Sequence, residues 1–342
     1  MNPAIESLAL HWVGNQSNDE QCITSSKPFA LTQEMNQLLT DYFIGSFKSG
    51  ERYNFSSETG DLSGNFVYKF VSNIFDNPDM LLDFSVDLAT QLYECCDHPQ
   101  IKGGDFYVVR FSGCSVGNEE CDAIGLFKIE NKDLFLTIEH DTENKFDMSA
   151  VEGISLKKVD KGCLVLNYER QKGYYVMVVD NSNKSNAQYW VDDFLHLSRR
   201  QDAYFQTENM MHLCRNYLIE QLPQDFQVSR ADQVDLLNKS MNYFAKSPKF
   251  DNQTFQERVL AQPELTNRFN NYRQQYEQDR DIDLGDNFDL NPDAVKKEKR
   301  AFKSVIKLDK NFHIYIHGNR DLIEAGTDEK GKFYKLYFNS EG

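Results

Sequence analysis

Between Asp105 and Val179 the chain offers six short runs rich in Val, Ile, Phe and Tyr, each bounded by polar turn material. They are Asp105–Cys114, Asp122–Ile129, Asp133–His140, Gly153–Val159, Gly162–Tyr168 and Tyr174–Val179. β-Branched and aromatic residues suit a pleated, half-buried surface. Val116–Glu120, Asn131–Lys132, Asp160–Lys161 and Arg170–Gly173 are the joints between them. The pattern predicts an antiparallel meander of short strands, and everything else must pack around it.

The flanks read differently. Ile5–Val13 (IESLALHWV) predicts an opening strand, with Ile5, Leu8, Leu10 and Trp12 turned inward. Thr32–Phe43 has apolar residues at helix spacing. Asn77-Pro78 marks a helix start that runs to about Cys96, where His98-Pro99 ends it. Beyond the polar loop Ser182–Asn186 the period is helical again. Helices are expected at Tyr189–Leu197, Gln206–Glu220 with a break at Pro223, Ser229–Phe244, Asn252–Leu260 and Pro263–Asp279. Arg280–Pro292 reads as an acidic loop, followed by a basic helix, a strand at Phe312–Ile316, a turn at Gly318-Asn319 and a last strand at Lys332–Phe338. The fold class is therefore α+β. An N-terminal domain, 1–198, carries the antiparallel sheet with helices. A C-terminal domain, 199–342, is mainly helical with a small terminal β element.

At 342 residues, with 40% hydrophobic and 13% aromatic content, the chain has apolar material for about two such cores. Its net charge of −16 excludes a protein that coats nucleic acid with its whole surface. Residues 1–100 carry four basic and fourteen acidic groups, net −10, so any polyanion contact belongs to local patches further on. Met1–Leu10 lacks the basic lead of a signal peptide, and no apolar run approaches a membrane span. The expectation is a cytoplasmic protein that does not enter a membrane. The seven cysteines are irregularly spaced and are expected to stay reduced, although Cys114 and Cys121 flank a turn and are placed to approach each other.

One stretch runs against the acidic balance. Val295–Lys310 (VKKEKRAFKSVIKLDK) holds seven basic residues in sixteen positions. On a helix, Lys296, Arg300, Lys303, Lys307 and Lys310 follow steps of four, three, four and three, which aligns them in one stripe. Phe302, Val305 and Ile306 fall on another side and would hold the helix to a core. Such a stripe suits a polyanion, and it equally suits a plain solvated face.

No catalytic constellation stands out. Asp122, Glu130 and Lys132 loosely fit the Asp…Glu-x-Lys pattern of metal-dependent nucleases, yet three charges at a strand start and a turn are commonplace. Asp279-x-Asp281-x-Asp283-x-Gly285 fails the calcium-loop pattern, because glycine is seventh and Leu290 stands twelfth. No phosphate-binding glycine loop, dinucleotide turn or nucleophile elbow is present. His140, His313 and His317 are scattered, and the basic clusters Lys157-Lys158-Lys161 and Arg199-Arg200 matter only if folding brings them to the Lys296–Lys310 stretch. Catalytic residues, metal ligands and cofactors are therefore all expected to be none.

Several segments together resemble one family. IESLALHWV, Ala123–Leu136 followed by FDMSAVEGISLKKVD (Phe146–Asp160), WVDDFLHLSRRQD within Tyr174–Asp202, and FDLNPDAVKKEKRAFKSVIKLDKNFHIYIHG with the closing FYKLYF are similar to the bacterial nucleoid-associated proteins of the NdpA type. About half the chain carries the likeness, while 14–100 and 215–280 diverge. The resemblance implies a cytoplasmic, nucleoid-located protein with no catalytic residues to carry over.

The leading expectation is non-catalytic nucleoid association. Lys296, Lys297, Arg300, Lys303 and Lys307 would pair with phosphates of double-stranded DNA, weakly and without sequence readout. The alternative is a protein-interaction module that docks on a DNA-processing enzyme through its acidic N-terminal region. A metal-dependent nuclease is a distant third. Whether DNA is met directly or through a protein partner stays open, as does a homo-oligomer.

Overall fold

The computed structural model describes residues 3–47, 50–142, 145–181, 189–302, 305–308, 310–316 and 320–340. The chain divides into two compact units, Met1–Arg200 and Gln201–Gly342.

In the first unit the elements run β1 Ala4–Val13, β2 Cys22–Ile23, α1 Gln33–Ile44, β3 Arg52–Phe55, α2 Phe66–Asp76 and α3 Leu81–Glu94. Then come β4 Gly104–Val116, β5 Glu119–Ile129, β6 Asp133–His140, β7 Phe146–Gly153, β8 Lys161–Leu166, β9 Tyr175–Asp180 and β10 Leu197–Arg199. Eight strands form one antiparallel sheet in the order β10-β3-β9-β8-β5-β4-β1-β2. Helix α1 covers one face and α2 with α3 cover the other. Alternation along β4 shows the two layers: Phe106 and Val108 pack under α2 and α3, while Tyr107, Val109 and Phe111 pack under α1. Strands β5 and β8 repeat the pattern with Ile124, Leu126, Cys163 and Val165 on one side and Phe127, Ile129, Leu164 and Leu166 on the other. Both faces are buried, so these strands read as nearly continuous apolar runs.

The antiparallel expectation holds, with corrections in its parts. The sheet is not confined to the middle of the chain, because β1 pairs with β4 and β3 pairs with β9. In β1 the inward residues are Ile5, Leu8, Ala9, His11 and Val13; Trp12 is only half-buried. Two helix layers, and the register shift between Ile5 and Ser7, bury both faces of this strand. Gly153–Val159 is not a strand beyond its first residue. The strand is Phe146–Gly153, and among the described residues it pairs only with β6, as a two-stranded sheet inserted between the adjacent strands β5 and β8. Tyr189–Leu197 is not an ordinary helix. Tyr189–Phe194 is a single π turn that buries Trp190 and Phe194, and Leu197 already belongs to β10. Gly173, at φ +88°, lies so close to Phe55 that any side chain would collide with that residue's carbonyl; this lets β3 join the sheet.

The second unit holds α4 Ala203–Asn216, α5 Leu222–Asp225, α6 Arg230–Lys246, β11 Lys249–Asp251, α7 Asn252–Phe255, α8 Pro263–Arg280, β12 Asn287–Asp289 and α9 Pro292–Glu298. It ends in two hairpins, β13 Val305–Leu308 with β14 Phe312–Tyr315, and β15 Ile323–Asp328 with β16 Gly331–Leu336. Pro223 does not break the helix where expected. A π turn at Tyr217–Gln221 links α4 to α5, and Pro223 falls in the first turn of α5, where its missing N–H is tolerated. Ser229 caps α6 in a capping box with Asp232. The acidic 280–292 stretch is not all loop, because β12 pairs with β11. The aromatic core of Tyr217, Phe244, Phe250, Phe255 and Phe269 sits between these helices. All seven cysteines are free, including Cys114 and Cys121, which face each other across β4 and β5.

Candidate nucleic-acid interface

The basic stretch starts as a helix for local reasons. Asn291 accepts bonds from the Asp293 and Ala294 amides, Pro292 occupies the first turn, and the Asn291 amide donates to Thr207 Oγ1 of α4 at 3.0 Å. Ala294 and Glu298 are buried against the C-terminal core. Glu298 Oε2 lies 2.7 Å from His212 Nε2, and Arg215 donates from Nε to the Ala301 carbonyl at 3.2 Å. Glu208, His212 and Arg215 all sit on α4 at near-helical spacing, so one face of α4 grips α9 from end to end.

The helix then stops. Lys299–Ala301 tightens into a single 3-10 turn, Phe302 is buried in the core, and β13 begins at Val305. The expected single stripe of five cations on one long helix is therefore corrected. β-Branched Val305 and Ile306 pair with Tyr315 and Ile314, and Ile306 packs on Ala231 and Val234 of α6. That pairing and burial override the helical spacing of the lysines.

The candidate residues consequently have different surroundings. Lys296 and Arg300 are exposed, with Lys299 beside them, and among the described residues these three enter no ion pair. Lys297 turns down onto α4, where its Nζ lies 2.7 Å from Oε1 of the buried Glu208 and 5.7 Å from the Tyr204 ring. Lys307 is exposed on β13, opposite His313, and so belongs to a separate element. Lys303 lies outside the described residues. Lys299 is not among the sequence candidates, and like Lys297 it lies outside the four-three spacing. In a 3-10 turn that spacing no longer sorts residues by face.

Of the other basic clusters, Lys157 and Lys158 are exposed and enter no ion pair among the described residues, whereas Lys161 and the Arg199-Arg200 pair are occupied. Lys161 is fully buried and binds Asp180 at 2.9 Å. Arg199 faces Glu51, and Arg200 pairs with Glu169 over the Tyr175 ring.

The nuclease-like trio is taken apart by the fold. Asp122 stands near the start of β5 and pairs with Arg110 at 2.8 Å, whereas Glu130 follows the far end of that strand. Glu130 accepts from the Tyr189 hydroxyl at 2.7 Å and faces Lys128, itself fully buried, at 3.4 Å. Burial, and then the Glu130 charge, hold the Tyr189 hydroxyl far above its ordinary pKa. Lys132 pairs with Asp105. Among the described residues no three His, Cys, Asp or Glu side chains are grouped to hold a metal.

The sequence pattern of the family described as nucleoid-associated protein YejK matches residues 9–330. The chain belongs to this family. Membership spans both units and supports a nucleoid-associated role for the YejK-family chain. No curated protein matches it. Among the described residues no helix is long and apolar enough to cross a membrane.

Proposed function

We propose that this chain is a non-catalytic nucleoid-associated protein that meets duplex DNA through the basic surface of α9 and its 3-10 extension. The reading rests on one observation above all. In a chain of net charge −16, Lys296, Lys299 and Arg300 gather on one short exposed segment with no carboxylate paired to them among the described residues. Lys307 adds a cation from β13, Lys303 is carried from the sequence expectation, and Lys297 contributes only by giving up part of its contact with Glu208. Contacts of this kind neutralise phosphates, carry affinity and read no bases. Binding is weak because the rest of the surface is acidic, and it takes place in the bacterial nucleoid.

A second reading is favoured by a different observation. The net −10 of residues 1–100 suits a basic protein partner, through which the chain would reach DNA indirectly. A DNA titration separates the two. Direct binding that weakens with salt and is lost in a Lys296→Glu/Arg300→Glu variant supports the first. An absence of binding, together with retained nucleoid localisation in cells, supports the second.

A further inference from the structure

The β6–β7 hairpin is unlike the rest of the first unit. Among the described residues it pairs with no other strand on either outer edge. Its cross-strand rungs sort cleanly by face. On one face lie Leu134 with Glu152, Leu136 with Ala150, Ile138 with Met148, and His140 with Phe146. On the other lie Thr137 bonded to Ser149 at 2.7 Å and Glu139 opposite Asp147, with Phe135 and Val151 near the base. The first face is apolar and open to solvent: Leu134 is 69% exposed, Leu136 68%, Ile138 62%, Phe146 74% and Met148 63%. A two-stranded ribbon carrying such a face is marginal alone in water.

We propose that this face is covered by the same face of a second copy of the chain, in a two-fold pair of stacked hairpins. Three features favour a second copy. The first is area. The five side chains offer on the order of 600 Å² per copy, so a symmetric pair covers about 1,200 Å², the lower end of the range for specific interfaces. A patch of that size is also at the upper limit for a monomer surface.

The second is charge. Two chains of net −16 repel, but the hairpin carboxylates Glu139 and Asp147 point to the opposite face, away from the contact. Among the described residues Glu152 is the only acid on the apolar face. The third is fit. A two-fold axis crossing the strands puts the two protein bodies at opposite ends of the stack and reverses the order of rungs. Leu136 then lies over the partner's Ile138, the small Ala150 over the partner's long Met148, and Glu152 over the partner's Phe146, diagonal to the partner's His140. An anionic membrane is a poorer occupant, because Glu139, Asp141 and Asp147 lie at the tip that would enter it.

The test is the oligomeric state of the full chain by sedimentation at micromolar concentration. The wild type is expected to be dimeric. Leu136→Glu and Leu136→Lys are each expected to be monomeric, with an unchanged circular-dichroism spectrum, and an equimolar mixture of the two to recover dimer. Thr137→Lys, on the opposite face, is expected to stay dimeric. A monomeric wild type overturns the proposal, as does a dimer that Leu136→Glu leaves intact. A monomer that floats with neutral phospholipid vesicles would give the face to a lipid surface instead.

Discussion

At the residue scale, the interior decides which charges are available for function. Lys296 and Lys297 are both phosphate-contact candidates in the sequence, but the Lys297 amine rests on a carboxylate that is 4% exposed. Lys297→Ala is expected to lower stability by about 1–2 kcal/mol in urea unfolding, since it strips a buried acid of a partner, while Lys296→Ala should stay within about 0.5 kcal/mol. Equal costs would mean that the two lysines have the same surroundings. His11 gives a pH signature. The Ser25 amide donates to its Nδ1, and its Nε2 faces Ser85 Oγ at 2.8 Å, whose own hydroxyl donates to the Leu82 carbonyl. That arrangement satisfies the neutral ring with its proton on Nε2, and burial lowers the pKa from 6.5 to about 4. Between those values the unfolded chain takes up a proton that the folded one refuses. The contribution of His11 is thus complete above pH 6.5 and disappears as pH falls towards 4, a loss of about 3 kcal/mol. A His11→Gln variant should be less stable at neutral pH and show a shallower decline across that window; an unchanged slope would remove His11 as the cause. No sequence signal marks His11 as buried, because its neighbour Trp12 is the more apolar residue and strand alternation picks that face.

At the element scale, much of the first unit was legible. Turn residues and β-branched runs placed β4, β5, β8 and β9 to within a few residues, since each is a local preference that the fold also uses. What the sequence hid were long-range choices. Nothing local says that β6 and β7 pair with each other and leave the sheet, or that β1 and β3 join it. The basic helix shows the same limit. Helical spacing of lysines is a weak signal when Val305-Ile306 and Phe312–Ile316 flank a polar turn, a hairpin pattern that outweighs it. Because Asp133 and Gly153 sit opposite each other at the base of the β6–β7 hairpin, residues 134–152 can be replaced by a two-residue turn. The shortened protein is expected to unfold within about 1 kcal/mol of the monomeric Leu136→Glu variant in urea, because loop length costs little and the sheet neighbours β5 and β8 are untouched. A loss of cooperative unfolding would show that the hairpin belongs to the core.

At the scale of the whole molecule, an acidic protein is proposed to bind an acidic polymer, which it can do only through a local surface and at modest salt. The exposed cations Lys296, Lys299, Arg300 and Lys307 could neutralise on the order of 3–4 phosphates. With a slope of about −0.9 per contact, a fourfold rise in salt should weaken binding by about 40- to 150-fold. The family match covers both units and names no contact residue, so the surface must be tested directly. The decisive measurement is a titration of a duplex of mixed sequence with the full chain at two salt concentrations, for the wild type and for Lys296→Glu/Arg300→Glu. The account predicts weak, sequence-indifferent binding with that salt dependence, lost in the variant while its circular-dichroism spectrum stays unchanged. Equal binding by the two proteins, or affinity that does not respond to salt, would contradict it.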